Sequence, residues 1–163
     1  GSNLEATAGA TLAMINTFLA TAAAALAWGA IEAMTRGKAS MLGVASGIVA
    51  GLVAITPACG TIGPMGALIL GAVASLICYF FVAVVKNKFG YDDSLDVFGI
   101  HGVGGIVGAI GVGFLSAPSM GGTGLFVESG SVIEQVIVQI KAVGVTVIWT
   151  GVISFIQIGR AHV

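Results

Sequence analysis

Charged residues fall in short clusters along this chain, and the stretches between them are long and apolar. No charge occurs from Ala6 to Ile31, and Glu32, Arg36 and Lys38 close that stretch. Its interior, Thr21-Ala-Ala-Ala-Ala-Leu-Ala-Trp28, consists almost wholly of strong helix formers. Ala39 to Val85 is also uncharged, too long for one crossing, and is broken by Pro57 and Pro64. Two helices are expected there, joined by a turn over Thr56–Gly63. Lys86 and Lys88 end the second, and the polar segment Asn87–Ser94 leads into a fourth apolar stretch. Ser116–Gly130, with Pro118 and four glycines, separates that stretch from a last one. A helix needs about 20 apolar residues to cross a hydrocarbon layer of about 30 Å. The pattern therefore predicts five spans, at about 6–34, 41–56, 64–85, 96–115 and 132–156.

Composition fixes the class. Of 163 residues, 57% are hydrophobic and 8% are Asp, Glu, Lys or Arg, against about 25% charged in soluble domains. A soluble domain could not clothe its surface with so few polar groups. The same balance excludes a disordered chain, and a net charge of −1 leaves no basic patch for nucleic acid. Cys59 and Cys78 do not make a disulfide framework, and the apolar stretches do not alternate as barrel strands do. The start lacks the basic region of a signal peptide. Arg36/Lys38 and Lys86/Lys88 fall on one side of a five-crossing path, and the opposite loops carry no Lys or Arg. By the positive-inside rule that side is cytoplasmic, which places the N-terminus outside and the C-terminus inside.

Glycine spacing shows how the helices meet. Gly43, Gly47 and Gly51 form a small-xxx-small ladder, and Gly104 and Gly108 repeat the spacing in the fourth span. His101 is the ionisable group set well inside that span. On a regular helix it shares a face with Gly104, Gly105 and Gly108, with Val97 one turn before, which directs the imidazole into the bundle. Two readings of it stand: a pathway or relay group, or a structural histidine bonded to a neighbouring helix. No second His, Cys, Asp or Glu lies at ligand spacing, so no metal is expected. Asp96, with Asp92 and Asp93, stands at the start of the same helix, where carboxylates complement the dipole and cap free N–H groups. Gly102-Val-Gly104-Gly-Ile-Val-Gly108 has the spacing GxGxxxG with no preceding strand and is not a dinucleotide loop. No second intramembrane base accompanies His101, so no nucleophile–base pair and no enzyme is expected. Asn16, Thr17, Ser75, Thr146, Thr150 and Ser154 are expected to bond their own helix or a neighbour. Lys141 is expected to snorkel, and Trp28 and Trp149 to pack.

Two long segments carry a resemblance. Asp92-Asp-Ser-Leu-Asp-Val-Phe-Gly-Ile-His-Gly102 closely resembles the second histidine motif of the ammonium transporters (Amt/Mep/Rh). Gly47-Ile-Val-Ala-Gly-Leu-Val-Ala-Ile-Thr-Pro-Ala-Cys-Gly60 resembles another signature of that family, as do Asn16–Trp28 and Val143–Phe155. The resemblance implies an all-α integral membrane fold. Its five helices would form the last part of an eleven-helix inverted-repeat transporter, usually a homotrimer with one pore per subunit.

It implies further that ammonium is recruited outside and deprotonated, and that ammonia crosses a hydrophobic pore lined by a histidine pair. His101 matches the second of that pair and Val97 a pore-lining position. Thr56 and Ser46 match polar positions near the pore. Ser2 matches a hydroxyl that helps hold external ammonium, although an expression-tag Gly-Ser would look identical. Asp96 matches a structural acid at the cytoplasmic end. No cofactor is implied; the partners are ammonium or ammonia, the lipid bilayer of the plasma or inner membrane, and a PII-type regulator at the cytoplasmic face. Residues 1–157 form the partial membrane domain on this reading, and 158–163 a non-native tail. With the first six helices absent, the chain alone is expected to be inactive. An ammonium-sensing relative and a structural membrane subunit remain the alternatives, and methylammonium or carbon dioxide the alternative cargoes.

Overall fold

A computed structural model describes residues 6–124 and 130–161. Five long helices make up almost all of it, and no strand occurs among the described residues. They are α1 (Ala8–Arg36), α2 (Met41–Ile55), α3 (Pro64–Phe89), α4 (Phe98–Leu115) and α5 (Val132–Ala161). All but α2 are long and apolar enough to cross a membrane. The boundaries differ from the sequence expectation where local chemistry intervenes. The third helix runs a turn beyond 85 and stops at Gly90, whose φ of 63° and N–H bond to the Lys86 carbonyl form a left-handed cap. The fourth starts after Asp96, because Asp96 itself has φ 56° and cannot belong to the helix. The fifth continues past 156 to Ala161.

Small residues bring the first three helices together. A Cβ on Gly51 would lie 2.7 Å from the Ala24 Cβ and 2.9 Å from the Ala20 carbonyl oxygen, and one on Gly47 2.6 Å from the Trp28 Cβ. Gly71 of α3 meets the same Ala20 carbonyl from another side, and Gly108 of α4 meets that of Ala54 in α2. Ala20, Ala24, Ala50, Ala54, Ala67 and Ala74 are all fully buried at these crossings. Between helices in lipid there is little hydrophobic drive, so close backbone approach and interhelical hydrogen bonds hold the bundle. Ser75 supplies one such bond, its Oγ donating to the Ala24 carbonyl at 2.7 Å.

The α2–α3 connection is a buried structural element. Fifteen residues give α2 a length of about 22 Å, short of the hydrocarbon layer. The turn that follows sinks into the bundle, with Ala58, Cys59 and Ile62 buried. Backbone at that depth must find partners within the protein. Ala58, Cys59, Thr61 and Ile62 donate back along the turn, and the fully buried Asn16 of α1 donates from Nδ2 to the carbonyls of Cys59 (2.8 Å) and Ile62 (2.7 Å). One amide thus ties the turn to the first helix.

The last helix behaves differently. Its most apolar stretch is only 6% buried, against 44% for α4, and it touches the bundle chiefly along α4. Trp149 was expected to pack and is instead exposed, since α5 has a neighbour on one side alone. Trp28 does pack, edge-on to Tyr79 with ring centroids 5.3 Å apart.

Replacing Asn16 with Leu should lower unfolding free energy by about 1–3 kcal/mol, the cost of two buried carbonyls left without donors. Thermal or denaturant unfolding of the full chain in detergent, followed by circular dichroism, measures this; wild-type stability would show that the turn does not depend on Asn16.

Candidate functional site

The sequence-predicted residues separate into three places. His101 and Val97 lie on α4 and the segment leading into it, and both are exposed. Ser46 and Asp96 both line a cleft at the end of the bundle that carries the basic residues. Thr56 sits at the opposite end, exposed, with Oγ1 donating to the Leu52 carbonyl of its own helix at 2.7 Å. Ser2 lies outside the described residues.

The expected direction of His101 needs correction. Ile100, Gly104, Gly108 and Val112 form the buried ladder of α4, against Val53 and Ala54 of α2 and Cys78 of α3. His101 is one step round from that ladder, and its strip continues through Gly105, beside which a Cβ would meet nothing. The glycine face therefore splits. Gly104 and Gly108 face inward, while His101 and Gly105 face out of the five-helix bundle. The cause is a wide turn over Phe98–Gly102, where the Val103 N–H reaches back five residues to the Phe98 carbonyl as well as to Ile100. An extra residue in one turn rotates what precedes it by up to about 100° relative to a regular helix.

Beside this strip an apolar groove runs between α4 and α5, about 470 Å³ in volume. Phe98, Gly102, Gly105 and Ala109 line one wall, and Val143 and Thr146 stand on the other. Thr146 and Thr150 are the polar side chains there, and both hydroxyls are donated to carbonyls of their own helix. Such a groove offers a neutral solute or an apolar helix little penalty and a bare ion a large one.

The basic end holds a polar cleft of about 90 Å³, lined by Ser46 and Asp96 together with Glu32, Arg36, Ser40 and Tyr79. Glu32 is the residue that the sequence pattern undervalued. Its carboxylate is buried and accepts from Ser40 N–H (2.9 Å) and Ser40 Oγ (3.0 Å), while Arg36 approaches at 3.5 Å. Ser40 Oγ in turn accepts the N–H of Gly43, capping α2. A carboxylate eight residues before a Ser-x-x-Gly helix start is the signal that could have revealed this ring.

Asp96 plays another part than capping. Its carboxylate pairs with Lys86 at 2.7 Å, and Lys86 also donates to the Asp93 carbonyl, which joins the end of α3 to the start of α4. The cap belongs to Asp93, whose two oxygens accept from the N–H groups of Val97 (2.8 Å) and Phe98 (2.9 Å). The left-handed backbone at Asp96 turns its own carboxylate away from the helix axis and toward Lys86.

Long apolar helices joined by buried polar pins define a multi-pass integral membrane protein. The chain belongs to the Ammonium Transporter Family, whose model matches residues 1–160. It is 51% identical over 155 residues to the ammonium transporter of Aquifex aeolicus, covering 94% of this chain and 36% of that protein. With the Bacillus subtilis ammonium transporter it shares 40% identity over 161 residues, covering 97% of this chain and 39% of the relative. The chain thus spans less than half the length of these relatives. Its fold is similar to part of Mep2 from Saccharomyces cerevisiae, with a TM-score of 0.81 at 32% identity, over 93% of this chain and 37% of the yeast protein. A sensor Amt protein superposes with a TM-score of 0.85 at 26% identity, over 96% of this chain and 38% of that one.

Replacing Asp93 with Ala should accelerate amide hydrogen exchange at Val97 and Phe98 by about fivefold or more, equivalent to about 1 kcal/mol of lost capping. Asp96→Ala should leave those two amides protected. Equal acceleration by both variants would return the cap to Asp96.

Proposed function

We propose that this chain forms part of the subunit of an ammonium transporter, in which His101 handles protons and ammonia within a hydrophobic pore. The observation that carries the reading is the position of His101: it is exposed beside Gly105, and its imidazole makes no hydrogen bond among the described residues. A purely structural histidine would instead be engaged by a neighbouring helix. The length of the relatives supplies what would cover this face, since more than half of each lies outside the matched region. That remainder would close the pore over the exposed strip and contribute the other histidine of the pair.

The chemistry follows from solvation. Moving an ammonium ion into a low-dielectric passage costs several kcal/mol or more, while neutral ammonia, with modest hydrogen-bonding needs, passes more easily. A neutral imidazole both donates and accepts a hydrogen bond, so a pair of them can hold ammonia and relay a proton. Val97, one turn from His101, would keep the passage apolar, and Thr56 and Ser46 would stand near its two ends. Ser2 would assist recruitment outside. Asp96, paired with Lys86, would be structural. The basic residues orient the proposed subunit with Arg36, Lys38, Lys86 and Lys88 in the cytoplasm, the N-terminus outside and the C-terminus inside. A plasma-membrane homotrimer, with a PII-type regulator on the cytoplasmic face, completes the assembly.

A second reading, an ammonium-sensing relative, is favoured by the sensor Amt likeness. Both are tested on a fusion in which this chain replaces the matching region of the Aquifex aeolicus transporter. The fusion should take up ammonium, His101→Ala should change its rate or ion selectivity, and the 163-residue chain alone should give no flux in proteoliposomes. Flux from the chain alone, or a His101→Ala fusion indistinguishable from the parent, would contradict the transport reading; ammonium binding without flux would favour the sensor.

A further inference from the structure

Two helices of the bundle contain wide turns, and the turns lie against each other. In α3 the Lys86 N–H reaches five residues back to the Phe81 carbonyl, and in α4 the Val103 N–H does the same to Phe98. No proline lies in either segment, so neither wide turn comes from a missing N–H. Such turns forfeit regular hydrogen bonding and persist where packing holds them. Here the packing is mutual. The Phe81 and Phe98 rings meet edge-on at 6.3 Å, and Cys78 Sγ lies 3.8 Å from the Ile100 carbonyl, within the α4 wide turn. Gly99 is buried against Val82, so closely that a Cβ on Gly99 would lie 2.7 Å from the Val82 Cγ2.

Resting on the pore reading of His101, we propose that the Gly99–Val82 contact keys the two wide turns together and thereby sets the rotation of His101. Gly99 and Val82 are then positioning residues, remote from any solute, that determine whether the imidazole faces outward. Without the α4 wide turn, regular helical spacing would carry His101 toward the face of Gly104 and Gly108, which is filled by α2 and α3. Gly99 is needed opposite Val82 because a Cβ there presses on the Val82 methyl and pushes the turns apart. Val82 is a stiff partner, since a β-branched residue has few rotamers through which to yield.

The contact predicts a compensating pair. Gly99→Ala introduces the clash, and Val82→Ala removes the methyl it meets. In the full 163-residue chain in nanodiscs, the rate of His101 modification by diethylpyrocarbonate, read by mass spectrometry, reports the direction of the ring directly. Gly99→Ala should change that rate severalfold, and Val82→Ala/Gly99→Ala should restore it. In the Aquifex aeolicus fusion, Gly99→Ala should shift the pH of half-maximal uptake by about half a unit or more, with KM held and the double variant restoring the profile. Where Gly99→Ala lowers the yield of folded protein, Val82→Ile applies the same pressure from the other helix and should shift His101 in the same sense.

The arms separate two failures. An inactive wild-type fusion with a normal modification series overturns the transport reading and leaves the keying intact. An unchanged modification rate in Gly99→Ala and Val82→Ile overturns the keying, as does a double variant no nearer wild type than the single one.

Discussion

The bundle depends on backbone-to-backbone contact around Ala20 and Ala24 of α1. Gly51 of α2 and Gly71 of α3 both close on the Ala20 carbonyl, and Ser75 donates to that of Ala24. In a medium where apolar surface gains little by leaving lipid, these close approaches replace the hydrophobic core of a soluble domain. They also fix the helices to short separations, which leaves the larger side chains, Phe18 and Leu26 among them, on the outside. The abundance of alanine and glycine in so apolar a chain is the compositional trace of that arrangement.

Polar groups then act at the ends. Asn16 ties down the buried turn at one end; Glu32, Ser40 and Gly43 form a ring at the other, and Lys86 with Asp96 joins α3 to α4. Each links two separate elements, so each limits how far one helix can rotate against another. The consequence for function is directional. With α2 and α3 fixed against α1, the inner face of α4 is filled, and the strip of Val97, His101 and Gly105 has only one way to face.

Much of this was legible in the sequence because the signals were periodic or chemical in kind. Charge clusters marked the helix ends to within a few residues, and the Gly43/Gly47/Gly51 spacing announced a close helix crossing, whose partner, α1, only the fold supplies. The rotation of His101 was not legible. A face assignment assumes one constant turn, and the wide turn at Phe98–Gly102 breaks it through contacts from another helix, invisible to local pattern. The same applies to Asp93 and Asp96, two carboxylates shortly before one helix, whose roles are divided by the left-handed backbone at Asp96. Asn16 and Glu32 looked like ordinary polar residues in or beside a span because their partners, Cys59 and Ile62 in one case and Ser40 in the other, are fixed by the fold.

The central claim is that His101 stands on a wall which the rest of a longer transporter covers. A nitroxide attached at His101→Cys, with Cys59 and Cys78 replaced by alanine, tests it through its mobility in electron paramagnetic resonance spectra. The account predicts a mobile label in the isolated chain and an immobilised one when the preceding part of the Aquifex aeolicus transporter is joined to it. A label already immobilised in the isolated chain, or equally mobile in both, would contradict it.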